Sequence, residues 1–172
     1  AFARRVLEEF PRFTGAYFGY EPNADGGDAP KLGDADAGTV DASGRFIPYC
    51  HRDKTDRNRL VVEPLLDMET SLYYDGVRRL FEEAKQPKIM VTEPYVYEGK
   101  MIVEQAYPLV RDGAFAGVAG VDRALNDIEE FLRGIGLRDG VDLFLISSRG
   151  RFIATTVQEG ALKTKAISET PY

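Results

Sequence analysis

Cys50 and His51 are the only cysteine and the only histidine in the 172-residue chain, and they are adjacent. A thiol beside an imidazole is a pairing that nucleophilic enzymes use. Here it falls in residues 44–51, GRFIPYCH, which alternate as a strand, and neighbouring strand residues point to opposite faces. A buried, inert cysteine is the expectation. HExxH, GxSxG, P-loop and GxGxxG signatures are all absent. Glu129 and Glu130 fall on the exposed face of an expected helix and read as solvation rather than as an acid and base pair. A lone cysteine leaves no intrachain disulfide and no thiolate metal cage. Asp25, Asp28, Asp34, Asp36 and Asp41 lie in residues 21–42, but without calcium-loop spacing, so a solvated, mobile loop is expected there. The reading is therefore a protein that is not an enzyme and carries no metal or cofactor. What remains is binding chemistry. A small carboxylate needs a cation, which Arg52 or His51 can supply, and hydroxyl donors in a dry cleft, which tyrosines can supply.

Positioning such groups requires a core, and the composition allows one. Apolar residues make up 44% of the chain and charged residues 29%, enough for one core or a core with a small annex. No run approaches the roughly 18 apolar residues of a membrane span. A net charge of −6 argues against a nucleic-acid surface. The start, Ala-Phe-Ala-Arg-Arg, suggests an excised or processed domain whose anchors lie outside it.

Residues 89–122 organise the rest. Three apolar runs, 89–97, 101–110 and 114–121, are separated by Glu98-Gly99 and Asp112-Gly113, which suit tight hairpins. Both faces of the middle run are largely apolar, so the sheet is expected to be covered on both sides. The small residues Gly117, Ala119 and Gly120 predict a central strand. Phe2, Val6, Phe10 and Phe13 form a helical stripe ending near Pro11, and residues 14–20 read as a first strand. Thr70 or Ser71 caps a helix carrying Tyr73, Val77, Leu80 and Ala84. Asn126 to Glu129 fits a capping box for a helix running to Gly134-Ile135-Gly136, and residues 141–147 and 151–155 flank Ser148-Arg149-Gly150 as a further hairpin.

The phrase TEPYVYEGK, a strand ending in YPLV, then RDGAFAGVAGVD and a helix resembles the extracytoplasmic Cache sensor domains, also called PAS-like, of chemoreceptors and sensor histidine kinases. The resemblance implies an α+β fold: a PAS-like antiparallel sheet of about five strands flanked by helices, behind a long N-terminal helix. Residues 1–136 would form that helix and the membrane-distal unit. Residues 137–172 would begin a reduced second unit, since GVDLFLISSRGRFIATT is similar to the opening of the family's membrane-proximal half.

The resemblance also brings together Tyr49, His51, Arg52, Tyr73, Tyr74, Tyr95 and Asp122 as the ligand-binding set. Amino-acid-binding members carry an Arg two residues before an aromatic pair, a Tyr in the Pro-Tyr strand and an Asp closing the small-residue strand. Tyr73, Tyr74, Tyr95 and Asp122 fit this pattern, but Ser71 stands at the Arg position. The expectation is thus an extracytoplasmic sensor domain of an inner-membrane receptor that binds a small monocarboxylate such as acetate or propionate, with an amino acid as the alternative. The domain would dimerise through its first helix. A ligand-free dimerisation module is the reading from another class.

Overall fold

The computed structural model describes residues 2–28, 38–53, 55–56, 58–97, 100–157 and 165–170. In chain order the elements are α1 (Phe2–Glu9), β1 (Gly15–Tyr20), β2 (Pro48–Arg52), β3 (Leu60–Pro64), a short 3-10 turn (Met68–Thr70), a π-helical turn (Leu72–Gly76), α2 (Val77–Ala84), β4 (Met90–Val91), β5 (Tyr95–Tyr97), β6 (Lys100–Arg111), β7 (Ala114–Ala124), α3 (Leu125–Asp139), β8 (Phe144–Ile146) and β9 (Phe152–Thr155). Two compact units emerge, Ala1–Thr92 with Glu104–Asp122, and Glu93–Val103 with Arg123–Tyr172.

The first unit is built on an antiparallel sheet in the order β3-β2-β1-β7-β6-β4. β7 lies between β1 and β6, the interior place expected of a strand rich in small residues. The turn joining β6 to β7 uses Asp112 (φ 51°) and Gly113 (φ 79°), the positive-φ pair that a two-residue hairpin requires. The expected single strand over 89–97 is divided. Pro94 offers no backbone donor, and ahead of it Thr92 bonds Glu104 through both its N–H (3.0 Å) and, as acceptor, its hydroxyl (2.9 Å). A side chain thus completes the ladder where β4 ends. The sequence reading makes no assignment over 60–64, where the structure places β3 as an edge strand. Part of the expected mobile loop, residues 29–37, and the expected Glu98-Gly99 turn lie outside the described residues.

α1 packs one side of the sheet through Ala3 and Leu7, which meet Ala16 and Cys50. This corrects the expected stripe, since Phe2 and Phe10 are 67% and 54% exposed. A cover formed by residues 67–85 lies on the opposite side. Ser71 caps it, its hydroxyl accepting from the Tyr74 N–H at 3.1 Å. The π turn that follows has five residues in place of a regular turn, and the adjacent Tyr73 and Tyr74 are both buried. Val77 and Phe81 continue the buried stripe along α2.

In the second unit β5 pairs with the opening of β6, and Leu125 and Ile128 of α3 pack with Val103, Ile153 and Ala154. α3 departs from expectation at both ends. β7 runs directly into it at Leu125, Ala124 gives no side-chain cap, and Asn126 falls inside the first turn. The helix also continues through Gly134 and Gly136 to a left-handed Gly140, with Gly136 buried where a β-carbon would lie 2.9 Å from the Val141 carbonyl oxygen. In space, therefore, α3 packs with the β8–β9 hairpin that follows it.

Gly120 faces Tyr17 across β7 and β1, and a β-carbon there would stand 2.3 Å from that ring. The Gly120→Ala variant should lose about 1–3 kcal/mol of stability through overpacking. Urea unfolding of the two proteins measures it, and an unchanged midpoint would mean that Tyr17 is free to move aside.

Candidate functional site

Two rows of residues face the cover. Along β1 these are Gly15, Tyr17 and Gly19, and along β7 their partners are Asp122, Gly120 and Val118. Each glycine therefore stands opposite a larger side chain. Gly15 leaves the space in which the Tyr49 hydroxyl donates to Asp122 Oδ2 at 2.7 Å. Asp122 is 1% exposed, and its backbone carbonyl accepts from Thr14 N–H at 2.9 Å. The His51 ring stacks on Tyr49 (5.0 Å, 20°), and its Nε2 lies 2.7 Å from a Glu63 oxygen. Tyr17 meets Tyr49 edge-on at 6.4 Å and Tyr73 at 5.2 Å. The structure thus brings Tyr49, His51, Tyr73 and Asp122 into one buried row, joined by Tyr17.

The remaining sequence-predicted residues lie elsewhere. Arg52 is turned to the α1 side, where its guanidinium donates to the carbonyls of Leu7 (2.7 Å) and Phe13 (3.3 Å). This corrects the expectation that it can supply a charge beside Tyr49, because strand alternation groups Arg52 with Cys50 rather than with His51. Cys50 itself is buried in the α1 core, and that burial pushes its thiol pKa up, so the two halves of the Cys-His pair face opposite sides. Tyr95 belongs to the second unit and packs against Tyr97. Tyr74 is fully buried in a charged cluster at the Tyr20 end of β1. Its hydroxyl donates to Glu21 and accepts from Arg45, and Arg45 also donates to Glu69 (2.9 Å) and to the Tyr20 carbonyl. Arg78 joins the same cluster through Glu69 and Asp75. Gly15 and Tyr20 are five residues apart on β1, roughly 16 Å in a strand, so the two ends are distinct environments.

Three residues of the cover side were missed from sequence. Tyr17 falls in the expected first strand with no role in binding, and Glu63 lies where no element is expected. Glu104, 3% exposed, shares a strand face with Ala106, which pairs with Met90, whose methyl group lies under Gly76 of the cover. A charged residue in the buried, even-numbered phase of β6 was the available signal. Two cavities of about 270 and 760 Å³ flank α1 on the other side of the sheet, and the tyrosine row is closed in this conformation.

A family model described as methyl-accepting chemotaxis protein-like, first PDC sensor domain, matches residues 1–130. The chain belongs to this family of PDC, or Cache, sensor domains. It is 32% identical to the extracellular domain mmHK1S-Z2, assigned to a histidine kinase, with a TM-score of 0.78 over 99% of this chain and 60% of that one. It is 31% identical over 84 residues to the methyl-accepting chemotaxis protein PscA of Pseudomonas syringae pv. tomato, covering 46% of this chain and 13% of that protein. The Campylobacter jejuni chemoreceptor domain Tlp3, solved in complex with L-norvaline, shares the fold at 15% identity and a TM-score of 0.56, over 90% of this chain and 48% of that one. The chain therefore spans less than two thirds of these relatives. It is a sensor domain of the extracytoplasmic kind, which is a signalling role. No described helix is long and apolar enough to cross a membrane.

Burial, and after it the bond donated to Glu21, pushes the Tyr74 phenol far above its ordinary range. The folded state keeps this proton where an unfolded chain releases it. The resulting stability is fully present below about pH 10 and is lost as pH rises through the folded value. The urea midpoint should therefore fall between about pH 9 and about pH 11, and fall less in Tyr74→Phe. Parallel unfolding curves of the two proteins over that range provide the test.

Proposed function

We propose that this chain is the ligand-reading part of a transmembrane chemoreceptor or sensor kinase, and that it reads a protonated amine of the kind amino acids carry. The amine would sit against Asp122 and the Tyr49 hydroxyl, walled by Tyr17 and Tyr73. The supporting observation is the charge on the cover side of the sheet. Asp122, Glu104 and Glu63 stand there with His51, while Arg45 and Arg78 are engaged at the Tyr20 end and Arg52 serves α1. An ammonium offers three donors, and a carboxylate shielded from water binds it more strongly than an exposed one does. The complex of Tlp3 with L-norvaline, an amino acid, is in keeping with this choice.

Because the row is closed, a ligand reaches it only when the cover lifts. Its binding then shifts the population of cover positions, and that shift is the output. The receptor would be tethered by segments outside this chain and would pair with a second copy through α1, where Phe2 and Phe10 are exposed.

A simple monocarboxylate such as acetate or propionate is the competing reading. It is favoured by Ser71 at the position where amino-acid-binding members have Arg, and by His51, buried to 6% exposure on this face, as a cation. Titration calorimetry with L-norvaline, other amino acids, acetate, propionate and lactate separates the two. Amino acids should bind more tightly than every simple carboxylate. Asp122→Asn keeps the bond from Tyr49 but removes the charge, and should weaken amino-acid binding roughly tenfold to a hundredfold. Tighter binding of acetate or propionate, unchanged by Asp122→Asn, would transfer the anchor to His51.

A further inference from the structure

The cover is bracketed by two non-glycine residues in the left-handed region, Asp67 (φ 52°) and Lys85 (φ 53°), and contains the π turn between them. Such positions cluster where a segment has to change its path, and π turns recur at functional sites. The underside of the cover is apolar at Tyr73, Val77 and Phe81. Its polar ties to the sheet include a group at the Tyr20 end. There Arg45 bonds the Tyr20 carbonyl, Glu69 and the Tyr74 hydroxyl, and its guanidinium carbon lies 4.9 Å from the centre of the Tyr74 ring. Glu21 accepts from Tyr74 and lies 3.8 Å from Arg78. Arg45 is itself held by its own turn, where Asp41 accepts from the backbone N–H groups of Ser43 and Arg45.

We propose that Arg45 is the positioning residue of a latch that holds the 67–85 cover down over the Tyr49–Asp122 row, acting through Tyr74 and Glu69. This rests on reading that row as the ligand site. Arg45 sits at the far end of β1 from Asp122 and touches no ligand there. It sets how often the row opens. Its neighbour relation is direct: Tyr74, gripped by Arg45, adjoins Tyr73, which closes the row against Tyr17. A guanidinium suits the task because its planar fork reaches a carbonyl, a carboxylate and a hydroxyl together, which a lysine ammonium on a single flexible stem does not. Glu69 is the release point of the latch, its side chain being 56% exposed where Arg45 is 9%.

The test is amide hydrogen exchange on the ligand-free domain as wild type, Arg45→Gln, Arg45→Lys and Glu69→Gln. Ser71, Tyr74 and Gly76 carry bonded amides within the cover and report its opening. All three variants should speed exchange at these amides by at least about tenfold while the β1–β7 ladder amides stay within about twofold, with Arg45→Lys failing to restore protection. Equal acceleration in cover and ladder would show that Arg45 merely stabilises the whole unit, and unchanged exchange at the cover would remove the latch. Either result overturns the proposal. Glu69→Gln alters an exposed side chain and keeps the test available if the Arg45 variants do not fold. Stopped-flow binding of L-norvaline adds a second readout: the association rate should rise, and the apparent dissociation constant should fall by about the same factor, with the dissociation rate little changed. Failure of L-norvaline to bind the wild type would count against the ligand reading, while the exchange data decide the latch by themselves.

Discussion

The first unit depends on how closely the cover approaches the β1–β7 pair, and that approach is set by glycines facing large side chains. Gly15 opposes Asp122, Gly120 opposes Tyr17 and Gly19 opposes Val118. A β-carbon at Gly15 would stand 2.2 Å from Asp122 Oδ2, and one at Gly19 would stand 2.7 Å from the Met68 methyl group. Protein interiors pack near crystal density, so such overlaps force a shift rather than a compression. The Tyr17 ring lies against Gly120 and the Tyr49 ring against Gly15, and the buried Asp122 is reached by the Tyr49 hydroxyl because no side chain intervenes. The chemistry of the row and its packing have one cause.

Charge is sorted along the same strands. At the Tyr20 end, arginines and acids neutralise one another around Tyr74, whose ring also lies 5.6 Å from the Arg78 guanidinium carbon. At the Gly15 end Asp122 is bonded by the Tyr49 hydroxyl, and Glu63 lies beside His51. A buried carboxylate costs several kcal/mol unless it is bonded or neutralised. The Tyr49 hydroxyl meets part of that cost.

The sequence made much of this legible, and the failures have identifiable physics. Alternation placed Tyr49 and His51 on one face and Cys50 on the other, and the Asp112-Gly113 pair and the small residues of β7 located the hairpin and the interior strand. The same alternation assigns Arg52 to the α1 side, but the expectation of a cation beside the tyrosines outweighed it. The π turn left no periodic trace, because its extra residue changes the phase after Ser71 and turns Tyr73 and Tyr74 inward together. The Asn126 box was a local signal passed over, because β7 runs to Ala124 and the helix starts directly after it, which puts Asn126 inside the first turn. On α1, large residues suggested the buried stripe, whereas Ala3 and Leu7 are the residues that meet the sheet.

If the tyrosine row is the ligand site, its closure has an energetic consequence. A ligand moves an equilibrium only by the difference between its affinities for the two states, and a site of equal affinity in both would report nothing. When the competent state is a small fraction of the population, apparent affinity falls by that fraction, and the lost binding energy appears as conformational work on the cover. The apolar underside of the cover packs on the sheet, and the proposed Arg45 latch would set the population of the closed state without occupying the row. In the proposed receptor, specificity and sensitivity would lie at opposite ends of β1. Asp122 and the tyrosines would decide what binds, and the Tyr20 end how much binding is needed to hold the cover away.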